Sequence, residues 1–156
     1  MKTRRYIHGL SLVEMLIVIG VIALLATMVI GVASRIDNQS KEKLLKSTFA
    51  LLEGALEEYK EFQGFFPDPN PLDPSYLTHS AALYGQLHSI PSSRKILEKI
   101  SDSLIQSNPN AVGMLQINDP WGTTLDYRYV AGDNFPELVS AGPDRKFGTP
   151  DDITNK

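Results

Sequence analysis

The sequence predicts an α+β protein: a long N-terminal helix with a transmembrane half and an amphipathic half, joined to a small globular domain of short helices and a short antiparallel β-sheet. Three observations predict it. No residue from Met15 to Ser34 is charged and nearly every one to Ala33 is apolar, which matches the ~20 residues a helix needs to cross hydrocarbon. From Ser40 to Phe62 there is no proline, and Leu45, Thr48, Leu52, Ala55, Leu56, Tyr59 and Phe62 recur at three- and four-residue spacing, an apolar stripe on a polar rod. Near the C-terminus the period changes to two, as in a strand.

Length and composition bound the function. The chain has 156 residues, 42% hydrophobic and 21% charged, so once the apolar span is set aside there is material for one small domain and none for a large catalytic architecture. Lys2, Arg4 and Arg5 precede the span; of the 15 basic residues 12 remain from residue 10 onward against 18 acidic ones, and this acidic balance argues against a nucleic-acid partner. Cysteine is absent, which excludes disulfides and thiolate metal sites.

The N-terminal basic residues favour a cytoplasmic N-terminus with everything after residue 34 on the far side of the membrane. Within His8-Gly9-Leu10-Ser11-Leu12-Val13-Glu14-Met15, the carboxylate at the mouth of the span requires a reason, since an acid in the bilayer interior costs ~2.5 to 3.5 kcal/mol on insertion scales and needs a partner. Cleavage between Gly9 and Leu10 would supply one: a new α-amine four residues before Glu14, oppositely charged at neutral pH. In a bundle of parallel helices, Glu14 of one copy could meet the Leu10 amine of the next and fix axial register. On the residues alone, two other readings stay open. One is a secretory signal peptide cut before Ser34, although its apolar core exceeds the usual ~7 to 15 residues. The other is a plain anchor whose Glu14 snorkels to water.

The order of basic leader, Gly9-Leu10, Glu14 and apolar run resembles the prepilin signal of type IV pilins and type II secretion pseudopilins. The resemblance implies a leader at 1–9, a transmembrane and filament helix at 10–34, and a periplasmic domain at 35–156. It also implies cutting after Gly9 by a prepilin peptidase that N-methylates the new first residue, and a role for Glu14 in assembly. Leu10 stands where the family usually has phenylalanine.

The helix is predicted to continue through the stripe to Phe62, because Gly31 and Gly54 each cost only ~1 kcal/mol relative to alanine; one rod from Leu10 to Phe62 would be on the order of 80 Å long. Gly64-Phe65-Phe66-Pro67-Asp68-Pro69-Asn70-Pro71 ends it. Two further helices are predicted, from Ser75 to about Ser89 and from Ser92 to about Gln106, the second carrying Ile96, Leu97, Ile100, Leu104 and Ile105, with Ser92 or Ser93 as cap. His79 and His88, nine apart without a carboxylate cluster nearby, make a poor metal-ligand set.

Asn118-Asp119-Pro120-Trp121-Gly122 signals a turn. After it Leu125, Tyr127 and Tyr129 alternate with Asp126, Arg128 and Val130 as a strand, with Glu137 to Ser140 pairing back. A sheet laid on the helix stripe would bury Trp121 and the tyrosines.

The last informative stretch is Ser140-Ala141-Gly142-Pro143-Asp144-Arg145-Lys146-Phe147-Gly148-Thr149-Pro150-Asp151-Asp152-Ile153. Three aspartates within a turn-rich loop could supply oxygens to a hard cation, and spacing leaves a solvated loop with Asx turns equally open. This stretch, with Leu51 to Pro67 and Asp119 to Gly122, is similar in order to the major pseudopilin of type II secretion systems. That resemblance implies a pilin-like fold and a structural Ca²⁺ held by Asp144, Asp151 and Asp152 with carbonyls near Ala141, Lys146 and Thr149. Arg145 stands where the family commonly has glycine, which implies a turn that is either strained or differently shaped.

The sequence holds no Ser/His/Asp set within reach, no phosphate-cradling glycine loop and no paired histidines on a helix, so catalysis is not expected. The function implied is a structural subunit of a type II secretion pseudopilus. Its implied partners are further copies, other pseudopilins, the prepilin peptidase/N-methyltransferase and an inner-membrane assembly platform, with the filament in the periplasm. A type IV pilus subunit and a single-span anchored periplasmic calcium-binding protein are the alternatives.

Overall fold

The computed structural model describes residues 11–69, 76–109 and 113–156, and of 28–35 and 76–78 the backbone alone. The chain divides into two units, Met1–Gln39 and Ser40–Lys156, and one helix, α1 (Leu12–Gln63), contributes to both. In the first unit every large apolar side chain from Leu12 to Leu25 is exposed. Among the described residues no helix is long and apolar enough to cross a membrane. The described side chains of the predicted span stop at Thr27, short of the ~20 residues a crossing needs.

In the second unit the stripe on α1 forms the floor of the core. Leu45, Thr48, Leu52, Ala55, Leu56 and Tyr59 are buried as the spacing predicts, and Phe49 joins them. Phe62 does not: it is 68% exposed. The helix stops one residue later, Gly64 turns the chain with φ 84°, and Phe66 enters the core instead. Phe66 meets Tyr129 and Phe135 edge-on at 5.4 and 5.1 Å and lies under the Lys60 ammonium at 4.4 Å.

Helix α2 (Tyr76–Ser89) falls where the periodicity predicts it. The next predicted helix does not persist. Helix α3 covers only Pro91–Leu97, a 3-10 turn spans Asp102–Leu104, and Ile105 opens strand β1 (Ile105–Ser107). Leu97, Ile100 and Leu104 are still buried, so the apolar spacing predicts the core positions here although the backbone that carries them is not one helix. Ser101, Asp102 and Ser103 offer the chain local hydrogen bonds that compete with helix, including a 2.8 Å contact between the Ser101 and Ser103 hydroxyls. Capping also differs: Ile90 is the N-cap with Pro91 behind it, while the buried Ser93 hydroxyl donates to the Ala55 carbonyl on α1 at 2.8 Å.

Strand β1 pairs antiparallel with β2 (Leu115–Ile117), Ile105 opposite Ile117. A second sheet has the order β3 (Asp126–Arg128), β4 (Glu137–Ser140), β5 (Ile153–Thr154), all antiparallel. Helix α2 packs against β2, β3 and α3. Trp121 and Tyr127 are buried in the same apolar cluster as the α1 stripe, with Tyr129 at its margin, as expected for a sheet on a helix.

Candidate functional site

Two sites come from the sequence. At the N-terminus, Gly9 and Leu10 lie outside the described residues. Glu14 sits in the first turn of α1, exposed, where the helix dipole favours a carboxylate. The Met15 N–H donates to the Ser11 carbonyl at 3.2 Å.

The C-terminal loop connects β4 to β5 and is built from left-handed turns and carboxylates. Gly142 has φ 65° and Arg145 φ 60°, so the residue that resemblance marked as strained does adopt the conformation that favours glycine. Each aspartate accepts from the loop's own backbone. The Lys146 N–H donates to Asp144 Oδ1 at 2.8 Å, the Asp144 N–H to Asp151 Oδ2 at 3.0 Å, and the Gly148 N–H to Asp152 Oδ2 at 2.7 Å. The Thr149 hydroxyl lies 2.6 Å from Asp151 Oδ1 and 3.1 Å from the Lys146 carbonyl. This hydroxyl, foremost among several hydrogen bonds, holds the Asp151 carboxyl below the usual carboxylate range.

Asp144, Asp151 and Asp152 are thus laced into one loop with Lys146 and Thr149, while Ala141 is wholly buried at its start. Among the described residues no three His, Asp or Glu side chains converge as a metal-holding group, so a cation here would draw on backbone carbonyls as well as carboxylates. The donors nonetheless fit a hard cation in kind, being oxygens throughout. One of them, Asp152 Oδ1, is buried without a hydrogen-bond partner, an arrangement costly unless something polar meets it.

Sequence reasoning missed the support beneath the loop. Asp119, within the turn signal Asn118 to Gly122, is 2% exposed and accepts from the Trp121 and Thr123 N–H groups at 3.0 and 2.8 Å. Its second oxygen accepts from the Ser140 hydroxyl at 2.7 Å. Burial pushes its carboxyl above the ordinary range, against the pull of these hydrogen bonds. Asp126, which alternates with the tyrosines along its strand, is itself 1% exposed, bonded to Arg128 Nε at 2.6 Å and to His79 Nδ1 at 3.2 Å. His88 stacks on Tyr84 with ring centroids 5.7 Å apart. The charge of Asp119 or Asp126 was visible in the sequence; its burial depends on partners 21 and 47 residues away.

Residues 4–30 match the prokaryotic N-terminal methylation motif. Over 153 residues, 95% of this chain and 90% of the relative, the sequence is 31% identical to the type II secretion system core protein G of Escherichia coli (strain K12). No solved structure matches the chain.

Proposed function

The chain belongs to the family of the type II secretion system major pseudopilins, and from that premise we propose how its two ends serve a pseudopilus. It is a structural subunit of such a filament, carrying the prepilin methylation motif. In our reading a prepilin peptidase cuts after Gly9 and methylates the Leu10 amine. The mature subunit is anchored in the inner membrane by the apolar part of α1, N-terminus cytoplasmic and C-terminal domain periplasmic, until an assembly platform passes it into the filament.

The feature that carries this reading is the position of Glu14, four residues after the new amine and exposed at the start of an apolar helix. Packed among parallel apolar helices, its charge would be desolvated, and an amine from the neighbouring copy offsets that cost while fixing register. The Leu12-to-Leu25 side chains, all exposed in the single chain, supply the apolar packing surface. The C-terminal loop holds a structural Ca²⁺ through Asp144, Asp151 and Asp152 with carbonyls of Ala141, Lys146 and Thr149, supported by the unpartnered Asp152 Oδ1. When bound, the ion supplies positive charge to an acidic turn in place of a disulfide.

Intact-mass measurement of protein from its native cells tests the processing: a chain beginning at methylated Leu10 is expected, and one retaining residues 1–9 refutes it. Glu14→Ala should be inserted and processed but enter filaments poorly; assembly at the wild-type level would remove the pairing.

A further inference from the structure

Asp119 is a buried carboxylate whose side-chain hydrogen bonds among the described residues come from neutral donors: backbone N–H groups of its own turn and the Ser140 hydroxyl. A buried charge without a counter-charge is expensive, and the turn could be held by a neutral side chain. What the carboxylate reaches beyond its own turn is the start of the C-terminal loop. Ser140, 0% exposed, donates to Asp119 Oδ2 and accepts from the Gly142 N–H at 3.1 Å. Gly142 in turn lies so close to Asp151 that a Cβ on it would fall 2.1 Å from the Asp151 carbonyl oxygen and 3.5 Å from its Oδ2. The contacts therefore run without a break from Asp119 through Ser140 and Gly142 to Asp151.

We propose that Asp119 and Ser140 are positioning residues of the C-terminal cation loop, Ser140 fixing Gly142 so that the Asp151 backbone and carboxylate are held in register, and Asp119 orienting Ser140 while adding negative charge beneath the loop. The inference rests on the calcium reading above. It makes the Asp119-Pro120-Trp121-Gly122 turn part of the cation site, though none of its residues is a ligand. Supporting groups of this kind typically change metal affinity 10- to 100-fold.

The test uses the full mature chain in detergent micelles, stripped of divalent ions and titrated with calcium by calorimetry, then with terbium to count bound waters from luminescence lifetimes in light and heavy water. Ser140→Ala removes the relay; Asp119→Asn keeps an oxygen for the Trp121 and Thr123 N–H groups and removes the charge, so it remains informative if the serine variant fails to fold. Both are expected to bind calcium about 10- to 100-fold more weakly and to leave bound terbium more hydrated than in the wild type, an effect that general destabilisation would not produce. Wild-type affinity and hydration in a folded variant would overturn the positioning role alone. No binding of either ion by the wild type would overturn the calcium reading and this inference with it.

Discussion

The Tyr127 hydroxyl donates a 2.6 Å hydrogen bond to the carbonyl of Pro67, sixty residues earlier. It ties the centre of β3 to the segment leaving α1, and both groups are buried. Burial pushes the phenol far above its ordinary pKa, so it remains a donor throughout the accessible pH range. Tyr127→Phe leaves the Pro67 carbonyl unsatisfied and should lower unfolding free energy by about 1 to 2 kcal/mol, read as a shift in urea midpoint at constant slope. An unchanged midpoint would mean that the bond is replaced by water.

Gly142→Ala introduces a Cβ where the Asp151 carbonyl already stands, at a φ that disfavours side chains. The left-handed penalty of ~1 to 2 kcal/mol adds to the displacement of Asp151, so a loss of at least ~2 kcal/mol is expected. Thermal unfolding of the variant beside the wild type checks it, and equal midpoints would contradict the close approach.

Arg145→Gly should act in the opposite direction. Glycine removes a left-handed penalty of ~1 to 2 kcal/mol but returns ~0.5 to 1 kcal/mol of entropy to the unfolded chain. The net expectation is a gain of about 0.5 kcal/mol. Destabilisation would show that the arginine side chain contributes more than its backbone costs.

The acid response should contain two opposed parts. Asp151, held below the ordinary carboxylate range mainly by Thr149, contributes stability that is present above about pH 4 and lost as pH falls through its lower folded value. Asp119, raised by burial, works the other way: the stability gained by its protonation is full below about pH 4 and lost as pH rises through its higher folded value. Thermal midpoints measured from pH 7 to pH 2 should therefore fall less steeply at the acid end in Thr149→Val than in the wild type. The difference between Asp119→Asn and wild type should change mainly above pH 4. Parallel curves for all three proteins would contradict both assignments.

Much of this fold was legible because it is local or periodic. The α1 stripe, α2, the β3–β4 pair and the turn-rich C-terminal loop are each specified by residues a few positions apart, where 3.6- and 2-residue periods and glycine or proline placement decide the backbone. The helix predicted from Ser92 to Gln106 shows the limit: its apolar residues are buried on either backbone, and only pairing of Ile105 with Ile117 made the end of it a strand.

The prepilin-type order of basic residues, Gly9-Leu10, Glu14 and apolar run, the amphipathic stripe and the acidity of the final loop are properties of neighbouring residues and need no fold to be recognised. That Asp119 and Asp126 are interior carboxylates, that Phe62 faces out while Phe66 faces in, and that Ser140 connects the Asp119 turn to Gly142 come from packing between distant segments. A buried charge is tolerated only where donors from distant parts of the chain converge on it, and that convergence exists only after folding.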